Sequence, residues 1–486
     1  MPAATDLRPA DRLARTARRA RRRTRAACGA AARLPASARF CSGPEQAPPR
    51  RYVAAAVAGD AQPLARRFRR AGALARVART LDAGAACRAR AAQARARQRR
   101  LPAPARAPAV NAAVLFWLCI GLVAWAYAGY PLLATLLARR YGHAPFQDDA
   151  DCEHVTVVVA AFDEEARIAA RVRDILEQDY PADRLQVLVV SDGSRDGTAR
   201  AAAAVDDERV RVIDLSHNVG KAAALSIALR QVDTPLVAFT DVRQRFSPGA
   251  LRALCAPFAD PSVGAVSGEL VIAAADHGTG EGVGLYWRME KRLRSDEARL
   301  GWLHGVSGSI HALRRSLCVA IPAGTVLDDM WMPLQVLRSG HRVWMAREAL
   351  AFDRASHSVD EEFQRKLRTL AGNWQLIRRL PWLANPFANP VFFAWFSHKF
   401  LRLLVPWALL VALAASAFAG GALYRTLFGL QLLAYAGALG GLVLPRIAAR
   451  LPLLPAASSF VMLNFAALLS LPASLAMDPS RLWKKH

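Results

Sequence analysis

Four uncharged apolar stretches constrain this chain more than any other feature: Ala112 to Ala138, Leu403 to Tyr424, Thr426 to Pro445 and Leu451 to Met477. Each runs for about twenty residues or more, enough for a helix to cross a hydrocarbon core of about 30 Å. Four transmembrane helices are therefore expected. Buried helices of a large soluble domain are the alternative, but stretches of this length without one charge disfavour it. Residues 139–402, between the first and second stretches, are rich in charges, each costing about 2.5–3.5 kcal/mol at the bilayer centre. That block belongs in water. Arg139 and Arg140 on its flank, and Arg446 and Arg450 between the last two stretches, place it on the cytoplasmic side of an inner (plasma) membrane that the chain crosses several times.

The net charge of +26 suggests a nucleic-acid partner until it is counted by segment. Residues 1–110 hold 26 Arg and five acidic residues, a net of +21, which leaves +5 for the rest. The enzyme-sized part is close to balanced. The first 110 residues are Ala and Arg with Pro interruptions, almost no aromatic residues and no lysine, and Lys221 is the first lysine of the chain. Such a segment buries too little apolar surface to offset the entropy of ordering, so 1–110 reads as a disordered extension. A nucleic-acid arm would mix Lys with Arg and aromatic residues, and a transit peptide would be shorter, so no nucleic-acid partner is expected. An extension this basic on the outer side would conflict with the orientation above, which points to an upstream start read in an Arg- and Ala-biased frame. The seven cysteines are odd in number and scattered, with no CxxC spacing, which argues against a disulfide framework or a zinc site.

The water-facing block opens with apolar, β-branched runs at Val155 to Ala161, Gln186 to Ser191, Val210 to Leu215 and Leu236 to Thr240, separated by helical segments. That rhythm predicts a doubly wound α/β core with a mostly parallel sheet. Ligands of such sheets bind outside the carboxyl ends of the strands. Those ends carry Phe162-Asp163-Glu164-Glu165, Ser191-Asp192-Gly193, His217-Asn218 and Asp241. Any one of them is ordinary turn or cap chemistry, and their joint placement on one rim is what points to a site. No GxGxxG follows the first strand, and the glycines of HGTGEGVG read as a loop, so a dinucleotide fold is disfavoured.

VVVAAFDEEA, SDGSRDGT and HNVGKAAALSIAL together resemble the opening strand, the DGSxDGT segment and the NxGKxxALN segment of the membrane-bound family-2 glycosyltransferases, which include cellulose, hyaluronan and poly-N-acetylglucosamine synthases. The similarity covers about 110 to 478 and implies a GT-A-like fold. The resulting plan is a disordered extension at 1–110, a transmembrane helix at 111–138, a GT-A-like domain at 151–350, amphipathic interface helices at 351–400 and three transmembrane helices at 401–478. By the resemblance Asp163, Glu164 and Asp192 contact the uracil and ribose of a UDP-sugar, and Lys221 lies near the nucleotide. From the residues alone, Asp196 and Thr198 read as a helix start.

In FTDVRQRF the family typically has an aspartate pair spaced DxD that holds Mg²⁺ or Mn²⁺ against the diphosphate, and here the second member is Arg243. Asp241 alone suits a metal that keeps waters and takes one or two carboxylates plus phosphate oxygens. Alternatively Arg243 supplies the positive charge directly. GVSGSIHALRRSL resembles the acceptor-side GxxxxxRR segment. TVLDDMWMPLQVLRSGHRVWM resembles the TxDD motif, whose last acid, Asp329, would be the base that takes the acceptor proton in an in-line, inverting transfer. Asp328 would orient the site or raise its neighbour's pKa. Two acids before an apolar run are equally a helix N-terminus, and Trp331 lines an acceptor channel or belongs to the core.

EEFQRKLRTLAGNWQLI lies where processive members carry QQxRW, with Arg368 in register and Thr369 in place of the tryptophan. Arg365, Lys366 and Arg368 offer the cationic chemistry that a leaving diphosphate needs, or alternatively a charged face on lipid headgroups. His398, Lys399 and Arg402 are expected to snorkel to the interface. The expected function is transfer of a sugar from a nucleotide donor, UDP-linked, to a hydroxyl on a glycan or lipid carrier in surface or extracellular polysaccharide synthesis. The alternatives are single-sugar transfer to polyprenyl phosphate and a non-catalytic membrane scaffold or transporter.

Overall fold

The computed structural model describes residues 106–148, 152–273, 280–354, 359–444 and 453–476, together with 448, 450 and 451. The reading of 1–110 as disordered falls almost wholly outside these residues. The strands expected from the sequence are present: β1 (Val155–Ala161), β2 (Leu185–Ser191), β3 (Val210–Asp214) and β4 (Leu236–Thr240). They pair in parallel in the order β3-β2-β1-β4, and nearly every residue of β1, β2 and β4 is buried. Burial on both faces is why these strands read as continuous apolar runs rather than alternating ones. Thr156, the polar residue within β1, shares a 2.8 Å hydrogen bond with Thr234 Oγ1, so its hydroxyl is not stranded in the core.

Four more strands extend the sheet to eight: β5 (Arg245–Phe246), β6 (Val263–Ala273), β7 (His311–Arg314) and β8 (Arg342–Arg354). β7 runs antiparallel between β4 and β6, while β6 and β8 are parallel with two register shifts. The sequence did not announce this half, because its pairings join segments far apart in the chain. Arg314, at the end of β7, holds the carbonyls of Phe258, Asp260 and Val263, and Arg315 holds that of Val232, so both arginines of HALRR are engaged with the backbone.

Helices α1 (Arg106–Ala124) and α2 (Tyr130–Tyr141) form one rod with a π-helical turn at Trp125–Gly129. The α/β part adds α3 (Glu165–Leu176), α4 (Thr198–Ala203), α5 (Lys221–Leu229), α6 (Ala250–Cys255), α7 (Gly280–Arg299) and α8 (Asp328–Arg338). There follow α9 (Val359–Arg379), α10 (Phe392–Trp395), α11 (Leu401–Phe418), α12 (Gly421–Val443) and α13 (Leu454–Ala476). Two expectations need correction. The glycines of HGTGEGVG do not all lie in a loop, since helix α7 already begins at Gly280; residues 274–279 lie outside the described ones. The second apolar stretch does not run through to Tyr424, because the chain breaks at Gly420 and Gly421, both at positive φ, and Tyr424 and Arg425 open the next helix.

Among the described residues, four helices are long and apolar enough to cross a membrane: Val110–Tyr141, Phe392–Phe418, Gly421–Val443 and Leu454–Ala476. Leu, Val and Phe side chains on them, such as Leu118, Leu132, Leu433 and Val443, are largely exposed among the described residues. In water this would be a severe cost, and in lipid it is none.

His398, Lys399 and Arg402 correct a further expectation, because they do not reach outward. The sharp π-helical turn at Phe396–Phe400 carries His398 inward, where its Nδ1 faces Glu297 and its Nε2 faces Glu290, each at 2.8 Å. Tyr130 donates to Glu297 at 2.7 Å, and Arg402 to Glu290 at 2.8 Å. Both glutamates are buried; burial alone would raise their pKa, but His398 and the neighbouring cations hold both below the usual range. The network ties two of these apolar helices to α7. Replacing His398 with Leu leaves two buried carboxylates short of a hydrogen-bond partner and is expected to destabilise the chain by about 1–3 kcal/mol, seen as a lowered thermal midpoint in detergent.

Candidate active site

The site is built at the carboxyl ends of β1, β2 and β4, where the strand order reverses between β1 and β4. β2 ends in Asp192, which is 4% exposed. One carboxylate oxygen accepts from Val219 N at 2.7 Å, and the other from Gly220 N at 2.9 Å and Asn218 Nδ2 at 3.1 Å. Gly193 makes this approach possible: its φ is +65°, and a Cβ there would lie 2.2 Å from the backbone of His217. Asp192 therefore fixes the loop that starts α5, and with it the position of Lys221.

Asp163, at the end of β1, sits at φ +51°, a costly conformation for a residue with a Cβ. Its Oδ1 accepts from Arg195 N at 2.7 Å and its own N–H donates to Ser194 at 3.2 Å, so the β1 and β2 loops are stitched together. Glu164 donates its N–H to Thr198 and pairs with Arg167 at 3.0 Å. Asp196 accepts the N–H of Thr198 at 3.0 Å, the helix-start geometry expected for the pair.

Lys221 is the centre of the arrangement. Its ammonium lies 2.8 Å from Asp241 at the end of β4 and 3.4 Å from Asp328 at the start of α8. Burial would lower the lysine pKa, but the two carboxylates outweigh it and raise it above the ordinary value. Burial likewise opposes the charge on Asp241, and Lys221 with Arg243 and His311 brings its pKa below the usual carboxylate range.

Asp328 and Asp329 form the first turn of α8, as the helix-terminus reading expects. Asp329 Oδ1 is sealed from solvent and has no hydrogen-bond partner among the described residues. Burial and the adjacent Asp328 raise the Asp329 pKa to about 7, against the pull of Lys221, Arg294 and Lys399. A carboxylate poised near neutrality is what general base catalysis requires. Trp331 is 9% exposed and packs in the main core.

From α9, Arg368 faces Asp241, Asp328 and Asp329, and Arg243 is close enough to oppose its charge. Arg365 and Lys366 pair with Glu362 one turn earlier in the same helix. One participant escaped sequence reasoning. His311 on β7 stacks on Phe239 at 5.1 Å and lies near Asp328, Lys221 and Asp241; burial lowers its pKa to about 4, which keeps the ring neutral. Its neighbour in β4 depends on an antiparallel register that no local pattern encodes.

Residues 156–321 match the family model described as glycosyl transferase family 2. An N-acetylglucosaminyltransferase of Bradyrhizobium elkanii is 33% identical over 163 residues, which cover 30% of this chain and 88% of that protein. The chain belongs to glycosyl transferase family 2. A second N-acetylglucosaminyltransferase, from Rhizobium leguminosarum bv. viciae, is 31% identical over 173 residues, so the chain spans 40% of that relative's length and the match takes in 34% of its own. Among solved structures, a mannosyltransferase of Pyrobaculum calidifontis in complex with GDP-Man and Mn²⁺ superposes with a TM-score of 0.55 at 26% identity, covering 74% of this chain and 99% of that one. The GT-A-like fold with a mostly parallel sheet is thereby established.

Proposed function

We propose that this chain is a membrane-integral, inverting glycosyltransferase that takes a sugar from a nucleotide donor on the cytoplasmic side and passes it to a hydroxyl of a glycan or a lipid carrier, in surface or extracellular polysaccharide synthesis. The observation that carries this reading is the convergence of Asp241 and Asp328 on Lys221, with Asp329 and Arg368 beside them and Asp192 anchoring the loop before Lys221.

In this reading the nucleoside of a UDP-sugar occupies the stitched β1 and β2 loops, with Asp163, Glu164 and Asp192 shaping its pocket. Its diphosphate meets Lys221, Arg243 and Arg368, which supply charge where the leaving group develops it. Asp329 accepts the proton of the acceptor hydroxyl as the anomeric carbon is attacked from the opposite face. Asp328, against Lys221, keeps the neighbouring charge that holds Asp329 basic. The cytoplasmic placement rests on exposed Arg139, Arg140 and Arg450 at the ends of the apolar helices; Arg446 lies outside the described residues.

The donor set fits a divalent cation. Two carboxylates already converge on one cationic point, and Mg²⁺ or Mn²⁺ takes one or two carboxylates together with phosphate oxygens and waters. Asp241, with Asp328 beside it, would hold that ion, which when bound neutralises the diphosphate; the solved relative contains GDP-Man and Mn²⁺. Release of UDP from UDP-sugars by the full chain in detergent tests donor and metal together. Release that falls at least tenfold with EDTA and returns with Mn²⁺ is expected. Full activity in EDTA would transfer the metal's duty to Arg243.

A further inference from the structure

Arg171, on α3, is a guanidinium buried behind the site: the residue is 3% exposed, and its Cζ lies 4.0 Å from the centre of the Phe246 ring on β5. One arm pairs with Asp174 a turn later on the same helix, and that carboxylate also accepts the N–H of Phe246 at 3.2 Å. The other arm donates to Thr240 Oγ1 at 2.7 Å. The Arg171 Nε is sealed from solvent and has no hydrogen-bond partner among the described residues. A guanidinium is costly to bury, and the ion pair with Asp174 engages only one of its arms. That pair does not account for the second.

The second arm begins a relay across the floor of the site. Thr240, the last residue of β4, donates its hydroxyl proton to the Ser309 carbonyl at 2.7 Å. A threonine hydroxyl has a single proton, so accepting from Arg171 leaves that proton for Ser309. Asp241, the carboxylate nearest Lys221, follows Thr240 directly in the chain. Ser309 belongs to the segment before β7 that lies on the proposed base: Val306 donates its N–H to the Asp329 carbonyl at 3.0 Å, and a Cβ added to Gly308 would lie 3.6 Å from Asp329 Oδ2. One hydroxyl therefore joins the strand that carries Asp241 to the segment seated against Asp329, and Arg171 orients it. Burial pulls the Arg171 pKa down to about 10, against the pull of Asp174 and Asp241, so the side chain stays charged behind Asp241.

We propose that Arg171, acting through Thr240, is a positioning residue for the transfer step: it holds the donor-side carboxylate Asp241 and the base Asp329 at the separation that in-line attack requires. This rests on the glycosyltransferase reading and adds to it two residues that touch no substrate. Neither forms nor breaks a bond. A misplacement of about 1 Å between reacting groups costs on the order of 10²-fold in rate, so the hydroxyl at this junction bears on turnover more than on nucleotide binding, which falls to Asp163, Asp192 and Lys221 in the proposed mechanism.

Thr240→Val tests this, because it removes the hydroxyl and keeps the β-branched shape that a strand favours. Turnover is read on the full chain in detergent, with a lipid extract of its native host, as UDP or GDP release from UDP-glucose, UDP-N-acetylglucosamine and GDP-mannose; binding of UDP and GDP is read by equilibrium dialysis. Thr240→Val is expected to lower kcat at least about tenfold while the nucleotide Kd stays within about twofold of wild type. Thr240→Ser restores the hydroxyl and should return kcat to within about threefold. A hydroxyl that served stability alone would lower the thermal midpoint without separating kcat from Kd. Unchanged kcat in Thr240→Val, a loss that Thr240→Ser does not recover, or an equal fall in nucleotide affinity overturns the proposal. Should Thr240→Val fail to fold, Arg171→Lys decides: it keeps the charge but cannot span Asp174 and Thr240 together, so the same selective loss of kcat is expected and wild-type kcat is the overturning result. Release from no donor by the wild type refutes the transferase reading and this proposal with it, whereas wild-type release with kcat indifferent to the substitutions refutes only the positioning role.

Discussion

Asp329→Asn is expected to abolish sugar transfer and to stabilise the protein at the same time. Loss of a positioned general base lowers the rate by about 10²–10⁴-fold. The stability effect follows from the pKa of about 7 in the folded chain against about 3.9 for an ordinary aspartate. A carboxyl that binds its proton more tightly when folded loses stability as pH rises from about 4 to 7, and the full penalty is present above 7. Asparagine removes it, so at pH 8 the variant should gain on the order of 2–4 kcal/mol, and at pH 4 close to nothing. Thermal midpoints at the two pH values check the sign. In the wild type, kcat/KM should fall as pH drops through about 7, where the base becomes protonated. A variant that is inactive and destabilised at pH 8 would mean that Asp329 has a structural duty instead.

Lys221→Met carries the second large effect. It leaves Asp241 and Asp328 facing each other with their shared cation gone, a loss on the order of 3 kcal/mol by the usual cost of breaking a buried pair. Donor affinity should drop at least tenfold, because the same ammonium is assigned to the diphosphate. The variant also isolates the metal question. With two carboxylates left unpaired, millimolar Mn²⁺ should raise the thermal midpoint of Lys221→Met without any donor, and should move the wild type far less. A midpoint indifferent to Mn²⁺ in both proteins would argue that Asp241 and Asp328 do not form a cation site.

The contrast between what was and was not legible in the sequence follows the range of the interactions. β1 to β4 were readable because burial on both faces leaves an uninterrupted apolar run, and the rim acids because they follow those runs directly. The four long apolar helices were readable because each is an almost uncharged run of about twenty residues. What failed were the places where a long-range partner reverses a local preference. His398, Lys399 and Arg402 look like interface residues until Glu290 and Glu297, about a hundred positions earlier, are brought beside them. His311 carried no signal, since its burial depends on β7 entering the sheet against β4.

The most direct measurement is nucleoside diphosphate release from UDP- and GDP-sugars by the purified full-length chain, supplied with a lipid extract of its native host, for wild type, Asp241→Asn and Asp329→Asn. The account predicts release from at least one donor by the wild type, loss of donor binding in Asp241→Asn, and retained binding with at least a hundredfold slower release in Asp329→Asn. Release from no donor, or release untouched by either substitution, would contradict it.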